Sequence, residues 1–114
     1  MRILWAGMAA LTLLGMVGCR SAYVEADVKN TSGAPVSLVE VDYPSASFGV
    51  ESLAAGATYH YRFKILGEGA TKIVWTDATR KEHSVAGPRL QEGQQGTLTV
   101  TIAGGSAVWE PVLK

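Results

Sequence analysis

A chain of 114 residues with ten Lys/Arg, ten Asp/Glu and one cysteine has the length of a single domain and no second thiol for an internal disulfide. Its basic residues are scattered, so it lacks the dense cationic patch that a nucleic-acid backbone requires, and nucleic acid is not an expected partner. It has no acidic tail, no repeat period and no low-complexity tract.

The chain opens on Met1-Arg2, runs apolar from Ile3 to Leu14, and reads Gly15-Met16-Val17-Gly18 before Cys19. One positive charge, a short apolar core and small residues before a processing point form the pattern of a secretory signal. A membrane-spanning helix needs about 20 apolar residues; this run is shorter, and Arg20 closes it. Met16-Val17-Gly18-Cys19 resembles the lipobox of bacterial lipoproteins, a bulky apolar residue, a small or β-branched one, Gly or Ala, then Cys. The resemblance implies that the Cys19 thiolate takes a diacylglyceryl group, after which the chain is cut between Gly18 and Cys19. A mature product of that kind carries two or three acyl chains, enough for stable anchoring in a lipid bilayer. Arg20, where an Asp would favour retention at the inner membrane, implies by the same resemblance the outer membrane, facing the periplasm. The expected division is a signal peptide over 1–18, a lipidated N-terminus and short tether over 19–22, and a folded domain over 23–114.

From Tyr23 onward the polarity alternates with period two, and no helical stripe of useful length occurs. Tyr23–Lys29 places Val24, Ala26 and Val28 on one face, and Asn30-Thr31-Ser32-Gly33-Ala34-Pro35 reads as a turn. Val36–Tyr43 follows, with Val39, Val41 and Tyr43 inward and Glu40 and Asp42 outward; Pro44 to Ser47 breaks it. Ser47–Leu53 makes a short strand through Phe48 and Val50, and Ala54-Ala55-Gly56 turns. Ala57–Leu66 sets Tyr59, Tyr61, Phe63 and Ile65 against Thr58, His60, Arg62 and Lys64. Gly67-Glu68-Gly69 has hairpin length, leading into Thr71, Ile73 and Trp75. Asp77 to Arg80 turns the chain into Lys81–Ala86, and Gly87-Pro88 through Gly96 reads as a polar loop. Thr97–Ala103 alternates through Leu98, Val100 and Ile102; Gly104-Gly105 turns, and Ala107-Val108-Trp109 closes the fold.

Seven or eight short strands with turn signals every eight to twelve residues predict an all-β domain, a small antiparallel immunoglobulin-like β-sandwich. Two turns resemble those of immunoglobulin-like envelope domains. Val28 to Val36, with its Asn-x-Ser-Gly core, is similar to a first hairpin that joins two edge-side strands. Leu53 to Tyr59 is similar to a Leu-x-Pro-Gly-x-Ser/Thr turn, with Ala55 in the proline place. The resemblance carries fold and no site residue.

Chemistry is sparse. His60 and His83 are the only histidines, and with Asp77, Glu82 or Glu68 they do not form a paired-ligand motif, so no metal and no other cofactor is expected. Gly-x-Ser-x-Gly is missing, and Ser84, His83 and Asp77 form a triad only on paper. The expectation is therefore a non-enzymatic, envelope-tethered module that binds or builds. The alternative is an accessory lipoprotein subunit of an envelope or secretion assembly. Its expected partners are the lipid bilayer, through acylated Cys19, and an envelope protein or polysaccharide. The row His60, Arg62 and Lys64 is the candidate surface for the latter, unless the acidic pair Glu40 and Asp42 lies on a neighbouring strand and neutralises it.

Overall fold

The structure, a computed structural model, describes residues 22–114. Gly18, Cys19 and the signal segment lie outside the described residues. Eight strands form: β1 (Val24–Asn30), β2 (Val36–Tyr43), β3 (Ala46–Leu53), β4 (Thr58–Phe63), β5 (Gly69–Thr76), β6 (Glu82–Leu90), β7 (Gly96–Ala103) and β8 (Ser106–Leu113). They make two four-stranded sheets in the orders β4-β1-β7-β8 and β3-β2-β5-β6. The domain is all-β and its sheets are stacked as a sandwich.

Strands β1, β5 and β7 bury the alternate residues that their period assigns: Val24, Ala26 and Val28; Thr71, Ile73 and Trp75; Leu98, Val100 and Ile102. None of these three is an edge strand, so each turns a full apolar face to the opposite sheet. Burial of each such aliphatic side chain contributes about 2 kcal/mol, which must outweigh chain entropy without a disulfide.

Four features differ from the sequence reading. First, β1 and β7 run parallel, in the register Val24↔Gly96 to Asn30↔Ile102, within otherwise antiparallel sheets. A parallel pair needs a long connection, and here the whole second sheet intervenes. Second, the turn at 30–35 and the connection read at Gly67-Glu68-Gly69 are not hairpin links, and the strand expected to reach Leu66 ends at Phe63, which leaves 31–35 and 64–68 as the connecting segments. β1 and β2 lie in different sheets, as do β4 and β5, so both segments cross the sandwich. The Asn-x-Ser-Gly segment thus joins two inner strands of opposite sheets.

Third, β2 does not alternate throughout. Val36, Val39 and Val41 are buried, while Leu38 stands out at φ +51° where the β2–β5 register shifts. One inserted residue moves the rest of a strand to the other phase. Fourth, β6 continues through Gly87 and Pro88 to Leu90, where a loop was expected. β6 is an edge strand, and its pairing with β5 shifts register between Ala70↔Arg89 and Lys72↔Ala86, so Pro88 sits at an irregularity where proline is tolerated.

The turn at 54–57 does match its expected form. Ala57 N–H donates to Ala54 O at 3.0 Å, and Gly56 takes φ +78° at the third position, where a type II turn needs glycine.

Candidate functional site

Charge concentrates on the outer face of the first sheet, where β4 pairs with β1 in the register Glu25↔Arg62 and Asp27↔His60. Odd residues of β1 and even residues of β4 face solvent together, because both strands alternate and run antiparallel. His60 lies between two carboxylates, with Nδ1 2.8 Å from Asp27 Oδ1 and Nε2 2.8 Å from Glu25 Oε2. Both ring nitrogens donate only in the imidazolium form. Hydrogen bonds to Asp27 and Glu25 accordingly raise the His60 pKa above 6.5. Arg62 Nε lies 3.3 Å from Glu25 Oε1. The Arg62 guanidinium also sits 3.9 Å from the Tyr23 ring centre, and Lys64 Nζ sits 5.0 Å from it.

The structure therefore brings His60, Arg62 and Lys64 together as one row, and pairs its first two members with β1 carboxylates. Glu40 and Asp42 are not their partners. They lie on β2 in the second sheet, where Asp42 faces Lys72 Nζ at 3.7 Å. A hydrogen bond and repulsion from Asp42 raise the Glu40 pKa. The row cannot serve as a ligand set: both His60 nitrogens are engaged. Among the described residues, no group of three or more His, Cys, Asp and Glu could hold a metal ion.

The second histidine has a structural environment. Asp77 Oδ1 accepts from Thr79 Oγ1 at 2.7 Å, Thr79 N–H at 2.9 Å and Lys81 N–H at 3.0 Å. Its Oδ2 lies 2.7 Å from His83 Nε2, and the His83 ring stacks on buried Trp75 at 5.1 Å. The bonds from Thr79 and His83, then from Lys81, hold the Asp77 carboxyl far below its usual range. That arrangement closes the β5–β6 hairpin. Ser84, the next residue of β6, points to the opposite face, so Ser84, His83 and Asp77 do not converge.

These shifts give stability a pH window. The contribution of Asp77, whose folded pKa is lowered, is present above 3.8 and is lost as pH falls. That of His60, whose folded pKa is raised, is complete below 6.5 and is lost as pH rises through the folded value. The joint contribution of Asp77 and His60 to the unfolding free energy is expected to be highest between 3.8 and 6.5, while Glu40, whose folded pKa is raised above 4.5, lowers stability as pH climbs through its folded value. In the Glu25→Gln/Asp27→Asn variant the alkaline decline should shrink. A wild-type profile that stays level from about pH 6 to 9 would contradict this account of His60.

Sequence reasoning missed the partners of the row, Glu25 and Asp27. The only available signal was their matching outward phase on a strand that had no assigned neighbour.

No protein-family model matches the chain, and no curated protein matches it either. Among solved structures, the chain is similar to a protein from Eubacterium rectale whose structure was determined by NMR. The two share 11% identity at a TM-score of 0.58, covering 71% of this chain and 77% of that one. Similarity at that identity is a likeness of fold.

Proposed function

We propose that the chain is an exported lipoprotein, acylated on Cys19, that displays a non-enzymatic β-sandwich on the bacterial envelope as a binding or structural module. The observation that carries this reading is the sequence Met16-Val17-Gly18-Cys19 after a short apolar run, five residues before the first strand. The folded strands start at Val24, close enough to the cysteine for a short tether and far enough for processing before it. An outer-membrane address facing the periplasm follows from Arg20 through the lipobox resemblance.

A second reading, an accessory subunit of an envelope or secretion assembly, is favoured by the sheet edges. On one side of the sandwich the edge strands β6 and β8 carry Pro88 and Pro111, which blunt pairing with another strand. On the other side β3 and β4 carry no proline, so an extended segment of a partner can add to either edge.

Membrane fractionation tests the main reading. The full chain is expected in the detergent phase, and Cys19→Ser in the aqueous phase or unprocessed. Equal detergent partitioning of a processed Cys19→Ser product would overturn the lipid anchor.

A further inference from the structure

One end of the sandwich gathers the start of the described chain and its last residue. Val24 pairs with both Phe63 and Gly96, and Tyr23 O accepts from Gly96 N–H at 3.2 Å. Gln95 and Lys114 exchange backbone hydrogen bonds at 2.9 and 3.2 Å, and Gly93 N–H donates to Ile65 O at 3.1 Å. Leu66 N–H reaches Ser45 Oγ at 3.3 Å. Lys64, Leu66, Val112 and Lys114 are exposed there, with Leu66 at 67% and Val112 at 71% exposure. An open depression of about 500 Å³ lies between Tyr23, Gly96, Val112 and Lys114.

Only Arg20, Ser21 and Ala22 separate Cys19 from Tyr23. Four Cα–Cα steps span at most about 14 Å even when fully extended. We infer that this end of the domain, through Lys64, Lys114, Leu66 and Val112, rests on an anionic phospholipid surface, so that the opposite loops point away from the membrane. The inference rests on acylation of Cys19, as proposed above. A short tether holds the local concentration of head groups in the millimolar range or higher, so contacts too weak to recruit a free domain are still populated. Lys64 and Lys114 meet lipid phosphates, and Leu66 and Val112 meet the apolar boundary. The acidic groups at this end include Glu25, held by His60 and Arg62; Asp42, 3.7 Å from Lys72 Nζ; Glu68, 3.6 Å from Arg89; and Glu92 in the 91–95 loop.

The other end supplies an internal control. Lys29 is the penultimate residue of β1, beside Thr58, and Lys81 sits in the β5–β6 turn. A seven-residue strand such as β1 puts them about 20 Å from the tethered end, beyond the Debye length of about 8 Å at physiological salt.

The native full-length product is reconstituted into vesicles of phosphatidylglycerol with phosphatidylethanolamine, or of phosphatidylcholine alone. Its lysines are labelled with an amine reagent, and an intact-mass measurement records the state of Cys19. Labelling of Lys64 and Lys114 is expected to be about threefold slower on the anionic vesicles, with Lys29 and Lys81 unchanged, and about 1 M salt should erase the difference. With Cys19 acylated, equal rates on both vesicles, or protection of Lys29 and Lys81 instead, would overturn the proposed orientation and leave the lipoprotein reading intact. An unmodified Cys19 would overturn both.

Discussion

Asn30→Ala is expected to lower the stability of the domain by about 3 kcal/mol, a drop in melting temperature of roughly 15 °C for a domain of this size. Asn30 is fully buried. Its Nδ2 donates to Ala34 O at 2.8 Å, Leu53 O at 3.0 Å and Ala54 O at 3.2 Å. Its Oδ1 accepts from Ser32 Oγ at 2.6 Å and Ser32 N–H at 3.1 Å. The backbone of the same residue bonds Ala57 and Gly56. One amide thus joins the end of β1 to both distal segments that cross between the sheets. Alanine would leave the Leu53 carbonyl buried without its partner, and a buried acceptor that loses its donor costs far more than the net worth of the bond. Asn30→Asp should be at least as damaging, because it turns a carboxyl oxygen toward three carbonyls. Ser32→Ala should cost less, since Ser32 is only partly buried and water can replace it. Urea denaturation ranks the three. A loss under about 1 kcal/mol for Asn30→Ala would mean that the amide network is dispensable.

Gly87→Val carries the second large effect, again about 3 kcal/mol. A Cβ on Gly87 would fall 2.5 Å from Trp109 Cε2 and 2.6 Å from its Cζ2, and would meet Thr71 Oγ1 as well. The indole of β8 therefore packs directly against the Gly87 backbone of β6, on the side of the sandwich where these two edge strands meet. Thr71 is buried, and its Oγ1 is fixed by a 2.7 Å bond to Pro88 O, so it has little room to yield. A side chain at 87 must expel the Trp109 ring, which should shift its fluorescence to longer wavelength and lower the urea midpoint without changing the slope. In a Trp109→Ala background the Gly87→Ala penalty should shrink but persist, because the ring is gone while the fixed Thr71 Oγ1 still stands in the way. Equal penalties in both backgrounds would place the strain elsewhere.

Both positions show what a single sequence encodes and what it leaves out. Strands whose one face meets the core over their whole length write a clean period, which is why Val24-Ala26-Val28 and Leu98-Val100-Ile102 were readable. Sheet membership is not written that way. The 31–35 and 64–68 segments are as short as hairpin loops, yet they cross between sheets, because length alone does not distinguish the two routes. Asn30 read only as a turn residue, since Asn favours turns whether its side chain meets water or buried carbonyls. Gly87-Pro88 read as a break, because edge position, which makes proline harmless, is a property of the assembled sheet. The same holds for the charged row. His60, Arg62 and Lys64 were visible as a polar face, but Glu25 and Asp27 become their neighbours only through a pairing some 35 residues distant.

Everything about address turns on one sulfur. The most direct measurement is the intact mass of the product purified from its native membrane. A chain that starts at Cys19, heavier than its sequence by a diacylglyceryl group with or without a third acyl chain, is the predicted result. A chain that retains residues 1–18, or one that starts at residue 19 with a free thiol, would contradict it.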